Sequence, residues 1–301
     1  MPAVALVALV AMSLSGCSSL GVPASATNAA PIAVIAAENF WGSIAAQLGG
    51  QHADVTSIIS NPNTDPHDYE PTARDAIKMA TAELVIENGV GYDPWVDRLL
   101  SASSVKGRLV LSVGDAVGVK PGGNPHRWYS PDDVHRVIAL ITDDYKSLDP
   151  KGAAYFDRQR QLFESKTLAA YDGLIADMKA KYTGTPIGAS ESIVAPLAQA
   201  LGLDLLTPAS FLNAISEGTD PTAQDKATID RQIKGKEIKV YIYNSQNATP
   251  DIQTQVGQAR AAGIPVVAIT ETLNPATATF QDWQVAQLRR IQAALAQATG
   301  K

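Results

Sequence analysis

Two histidines and two glutamates carry the chemistry that this sequence could do. Imidazole nitrogens and carboxylate oxygens are the donors that hold divalent metal ions, and they also move protons. His67 lies in the stretch Asn61 to Thr72, which Pro62, Pro66 and Pro71 stiffen. His126 lies in Gly122 to Asp133, again beside a proline and just ahead of a helix start at Ser130-Pro131. A stiff loop is a good platform for a donor, because little ordering entropy is left to lose. The equivalent local contexts of the two histidines point to convergence on one spot. Glu191 and Glu271 each follow a short apolar run and complete a candidate set. Taken singly, each residue has an ordinary reading: a hydrogen-bonded loop histidine, a glutamate complementing a helix N-terminus, or a solvated loop acid. Asp65, Asp68 and Glu70 flank His67 and read as turn and helix-start residues rather than as partners orienting its ring. Glu217 and Asp220 read as loop or cap residues, and His52 and His135 as structural or exposed.

The elements that must position these residues follow from hydrophobic patterning. Short apolar runs at Ile32–Ala37, Val55–Ile59, Leu84–Glu87 and Leu109–Val113 alternate with helical patterns at Phe40–Leu48, Ala73–Ala80 and Pro94–Ser101. The style repeats later, with strands at Pro186–Ala189, Ile238–Tyr243 and Pro265–Thr270. Helices are expected there at Ala223–Ile233, Ile252–Ala262 and Phe280–Ala298. Such alternation predicts an α/β protein: two lobes with mainly parallel sheets flanked by helices. Ligands in open α/β sheets bind beyond the carboxyl ends of strands, and all four candidates follow strands in this reading. Thr72 with Asp75 makes a capping-box-like start, and Asp149 before Pro150 suits an N-cap. Residues 150–182 contain no proline after the first position and repeat apolar residues at helical spacing. They predict one long rigid helix joining the lobes 31–149 and 183–301.

The chain has 301 residues, 46% hydrophobic and 18% charged, with a formal net charge of −6. That composition excludes a disordered chain, and the acidic balance gives no footprint for nucleic acid. Cys17 is the only cysteine, which excludes an intrachain disulfide and any Cys-based zinc site. Residues 1–16 carry no charge and hold an apolar run too short to span a bilayer, which reads as a signal peptide. Leu14-Ser15-Gly16-Cys17 resembles a bacterial lipobox, so Cys17 is the expected lipidation site and residues 17–30 a tether.

The spaced motifs are recognisable together. Asp65-Pro66-His67-x-Tyr69-Glu70-Pro71-Thr72, Asn124-Pro125-His126-x-Trp128-x-Ser130-Pro131 and Ser190-Glu191 resemble the metal-binding lipoproteins of bacterial zinc/manganese ABC importers. Ala214 to Gly218, Tyr243-Asn244-x-Gln246-Asn247-Ala248-Thr249-Pro250 and Thr270-Glu271-Thr272-Leu273 look like the same family. The resemblance covers essentially the whole chain after the leader. It implies a divalent metal held between two lobes, with His67, His126, Glu191 and Glu271 as ligands. Many members have Asp at the last of these positions and some have His at the third, which leaves the metal open. The partners it implies are an ABC permease with its ATPase, and the membrane reached through the N-terminal lipid. The location is extracytoplasmic, anchored to the bacterial cell membrane, and a monomer is expected. Two neutral imidazoles and two carboxylates would cancel the charge of M²⁺. Carboxylates that bind through one or two oxygens favour Mn²⁺, whereas the Irving–Williams order favours Zn²⁺; the balance leans slightly to manganese. A metallohydrolase using the same residues and a surface adhesin are the alternatives. Against the first, the sequence has no His-Glu-x-x-His helix, no Gly-x-Ser-x-Gly elbow and no phosphate loop.

Overall fold

The computed structural model describes residues 30–67 and 69–301. The leader, Cys17 and the tether therefore lie outside the described residues, as does Asp68. Among the described residues, no helix is long and apolar enough to cross a membrane.

Eight strands form two four-stranded sheets in which every pairing is parallel. The first contains β1 (Ile32–Glu38), β2 (Ala53–Ile59), β3 (Leu84–Glu87) and β4 (Leu109–Ser112) in the order β2-β1-β3-β4. The second contains β5 (Pro186–Ala189), β6 (Asp204–Leu205), β7 (Val240–Asn244) and β8 (Val266–Ile269) in the order β6-β5-β7-β8. The strand order reverses between β1 and β3 and again between β5 and β7. Such reversals open a crevice at the carboxyl ends of the strands, where the connecting loops part to opposite faces. Strands buried on both faces must be apolar along their length, and β1 (IAVIAAE) and β3 (LVIE) are, up to the glutamate that ends each at the carboxyl edge of the sheet.

The helices form where capping and periodicity place them. Thr72 accepts the backbone N–H of Asp75 while the Asp75 carboxylate takes the N–H of Thr72, a complete capping box with Asp in the third position. Ser130 caps the helix Pro131–Leu148, with proline in its first turn. Beyond Asp149, which caps the turn Pro150–Gly152, the helical path runs through Ala153–Leu162 and Ala169–Tyr182. It is interrupted by a π turn at Phe163–Thr167, where Leu168 N–H reaches Phe163 O at 2.9 Å. Five residues of α-helix would put Phe163 and Leu168 on different faces. The wider turn lets both be buried.

One apolar cluster runs through both lobes. It contains Phe40, Trp41 and Trp128 on one side and Val240, Ile269, Phe280 and Trp283 on the other. Phe40 stacks on Trp128 with ring centroids 4.0 Å apart. Side chains cross the same seam with hydrogen bonds: Tyr129 Oη donates to Thr270 O at 2.7 Å, and Ser43 Oγ accepts from Phe280 N–H at 2.9 Å.

Candidate metal centre

The loop after β2 brings His67 to the crevice. Asp65 Oδ1 accepts the backbone N–H of His67 at 2.9 Å, so Asp65 shapes the turn and leaves the ring free. The ring stands edge-on to Tyr92, with centroids 4.8 Å apart. Glu70 is exposed, 3.9 Å from Arg98.

His126 is almost fully buried, and its ring orientation can be derived. Asn124 Nδ2 donates to Ser192 O at 2.7 Å across the lobes, which turns Asn124 Oδ1 toward the imidazole. That oxygen accepts the His126 backbone N–H and lies 2.9 Å from Nδ1. An amide oxygen only accepts, so Nδ1 carries the proton and Nε2 keeps its lone pair. Burial pushes the His126 pKa down, which keeps the ring neutral.

Glu191 follows β5 and Glu271 follows β8. Glu191 is buried, its Oε1 held by Asn244 Nδ2 at 2.7 Å and its Oε2 by Asn247 Nδ2 at 2.9 Å. Burial, and then the neighbouring Glu271, push its carboxyl up to about 8. Glu271 behaves oppositely: burial pushes its carboxyl up, and the His126 ring, in the form that also carries a proton on Nε2, pulls it below the ordinary value. Two acids in contact divide their titration in this way, one holding its proton and the other giving it up. Gln246 Oε1 accepts both the Glu271 and Thr272 backbone N–H groups, at 2.6 and 2.9 Å. Gln246 Nε2 also donates to Pro62 O, ahead of His67.

His67, His126, Glu191 and Glu271 line one cavity of about 160 Å³, with Asp65 and Glu217 also on its wall. His126 Nε2 stands 3.5 Å from Glu271 Oε1. With the proton on Nδ1, these two atoms are both acceptors, and a cation between them would reconcile them. Two donors bound at roughly 2.1 Å to one ion at a tetrahedral angle stand about 3.4 Å apart, close to that spacing. Among the described residues, however, no three His, Cys, Asp or Glu side chains form a group that would hold an ion. The four share a cavity without forming a closed coordination sphere.

His52 pairs with Asp149 at 3.2 Å and His135 with Asp172 at 2.9 Å, away from the cavity. Both are structural, as their positions in the sequence suggested. Sequence reasoning missed three features. Tyr92, fully buried against both cavity histidines, follows β3 in a loop that Gly89 and Gly91 turn at positive φ. Its hydroxyl finds no hydrogen-bond partner among the described residues. Glu38, at the end of β1, is fully buried with neither carboxylate oxygen partnered among the described residues. Burial, then Asp93, hold its pKa well above the usual range. The third is the amide group Asn244, Gln246 and Asn247, whose motif carried the family resemblance but no assigned role.

Comparison with known proteins gives a consistent result. The model of the family described as zinc-uptake complex component A, periplasmic, matches residues 34–294. The zinc-binding lipoprotein AdcA of Streptococcus pneumoniae is 25% identical over 250 residues, covering 76% of this chain and 47% of the relative. The iron-binding protein YfeA of Yersinia pestis is 30% identical over 132 residues, covering 42% of each. The chain thus spans less than half the length of these two relatives. A periplasmic metal-binding protein from Candidatus Liberibacter asiaticus superposes with a TM-score of 0.73. It is 21% identical, over 87% of this chain and 98% of that one, and the match speaks for the fold alone.

Proposed function

This chain belongs to the zinc-uptake complex component A family, and on that premise we propose that it captures a divalent transition metal ion, Mn²⁺ or Zn²⁺, in the interlobe cavity and delivers it to an ABC importer. The ligands are His67 and His126 from the first lobe and Glu191 and Glu271 from the second. Cys17 carries the lipid that anchors the chain outside the cytoplasm, residues 1–16 are its signal peptide and 17–30 its tether. The permease and its ATPase receive the metal, and the receptor works as a monomer of two lobes, 31–149 and 183–301, joined by 150–182.

One observation supports this most: a buried neutral imidazole and a partly buried carboxylate face each other as acceptors across a cavity that a second imidazole and a second carboxylate also line. The role is binding without covalent chemistry. His126 presents Nε2 because Asn124 holds Nδ1–H, and Glu191 gives up a proton as the ion enters. Two ionised carboxylates then cancel its charge, so the ion leaves water without a net buried charge. A hydrolase would use the same cavity only with a coordination position left for water and a base beside it.

Elemental analysis of protein purified under native metal supply tests the reading, with one equivalent of manganese or zinc expected. Glu271→Ala should lower affinity by about two orders of magnitude while the metal-free circular dichroism stays unchanged. Unchanged affinity would discard that ligand, and metal-free protein that takes up neither ion would discard the reading.

A further inference from the structure

The two cavity glutamates are not free to move independently, and one buried amide joins them. Asn244 is fully buried at the end of β7. Its Oδ1 accepts the Gln246 backbone N–H at 2.9 Å, which turns Nδ2 toward the carboxylates. Nδ2 donates to Glu191 Oε1 at 2.7 Å and to Glu271 Oε2 at 3.3 Å, so one NH₂ group bridges both acids. The Asn244 backbone N–H donates to Ser190 Oγ at 3.1 Å, tying the strand end to the residue before Glu191. Asn247 Nδ2 takes the other Glu191 oxygen at 2.9 Å and also reaches Ile215 O at 3.3 Å. Three of the four carboxylate oxygens are therefore held by an amide, and the fourth, Glu271 Oε1, faces His126.

We infer that Asn244 is a positioning residue that sets which divalent ion the cavity prefers, by pinning the two carboxylates at one separation; this rests on the metal-capture reading above. A carboxylate oxygen has two acceptor sites, so an amide on each Glu191 oxygen leaves one free site on each. Both oxygens are then available to the ion together, which gives two imidazole nitrogens and more than two carboxylate oxygens. That shell suits an ion of higher coordination such as Mn²⁺. Zn²⁺ takes four ligands at roughly 2.0–2.2 Å, one oxygen from each acid, and each carboxylate must pivot to supply it. Pivoting Glu191 strands a buried N–H of Asn244 or Asn247, and a buried donor without a partner is costly. Asn244 therefore narrows the advantage that the Irving–Williams order gives Zn²⁺.

The test titrates the full chain, stripped of metal, with Mn²⁺ and with Zn²⁺ against competing chelators, for wild type, Asn244→Ala and Asn247→Ala. Asn244→Ala should lose about 10- to 100-fold in Mn²⁺ affinity, the range typical of losing a group that orients a ligand, and only a few-fold for Zn²⁺. The preference then moves at least about tenfold toward zinc, and X-ray absorption of the zinc-bound variant should show fewer oxygen neighbours than wild type. Asn247→Ala, whose side chain is only half-buried on a loop, should shift the ratio in the same direction by less. Equal losses for the two ions would mean that Asn244 merely supports the loop, and would overturn the inference. Should Asn244→Ala not fold, an unchanged ratio in Asn247→Ala overturns it equally. Wild-type protein that binds neither ion would instead bring down the metal-capture reading itself.

Discussion

At Glu191, a single proton links binding to pH. Its carboxyl titrates near 8 in the metal-free protein, raised by burial and then by Glu271, whereas an unfolded glutamate titrates near 4.3. Below pH 8 an incoming metal must expel that proton. Affinity should therefore rise by up to about tenfold per pH unit toward 8 and level off above it. Calorimetry in two buffers of different ionisation enthalpy should find about one proton released near pH 7; pH-independent binding between 6 and 8 would contradict it. The same shift acts on folding with a definite sign. The folded state holds the proton over a window in which the unfolded state has lost it, so the stabilisation it gives is complete below the unfolded value. It is lost as pH rises through the folded one. Metal-free wild type should thus lose stability between about pH 4.5 and 8, by a few kcal/mol at most. Glu191→Gln has no proton to lose there. Its urea midpoint should be flatter over that range, while its metal affinity collapses.

At the scale of elements, the loops matter as much as the strands, because strands end at the cavity while loops carry the donors into it. The capping box at Thr72 fixes where the loop bearing His67 stops: Thr72 takes the Asp75 N–H, and Asp75 Oδ2 also accepts from Tyr69 Oη at 2.8 Å. Thr72→Ala should cost about 1 kcal/mol in urea unfolding and weaken metal binding only several-fold. A loss as large as that of a ligand substitution would mean that the loop is held by that cap alone. Such features were readable in advance because capping is a local matter of residue type and spacing. The long apolar strands were readable for the same reason: β3 has the expected bounds, and β1 and β2 extend the expected ones by one and two residues. The two-residue strand β6 and the helix Ala209–Ser216 were not, since β6 exists only through pairing with β5, and nothing local sets that pairing. The π turn answers a demand of the core, to bury both Phe163 and Leu168, which the hydrophobic period alone does not express. Tyr92, Glu38 and Asn244 are likewise ordinary in their own neighbourhoods. Their roles appear only when β1, β3, β5, β7 and β8 deliver their ends to one place.

Across the whole molecule, the lobes are joined by more than the helical path between them. Residues 31–301 form one compact unit, and the apolar cluster crosses the seam through Phe40, Trp128, Phe280 and Trp283. Domains that share only a small polar contact move freely, whereas a large apolar interface resists separation. The seam here is apolar and is crossed by hydrogen bonds that Tyr129 donates and that Ser43 and Asn39 accept. Opening the cavity by swinging the lobes apart would expose that core. Local shifts of the loops bearing His67 and Glu271 would leave it intact. The expected metal response is therefore small in shape and large in stability: little change in radius of gyration by X-ray scattering, with about 4 kcal/mol of stabilisation at a free metal concentration 1,000 times the Kd. A shared core also predicts that the lobes unfold together. Calorimetry of the metal-free chain should give one transition with equal calorimetric and van't Hoff enthalpies. Two resolved transitions, only the second of them moved by metal, would show that the lobes fold independently and that the seam contributes little.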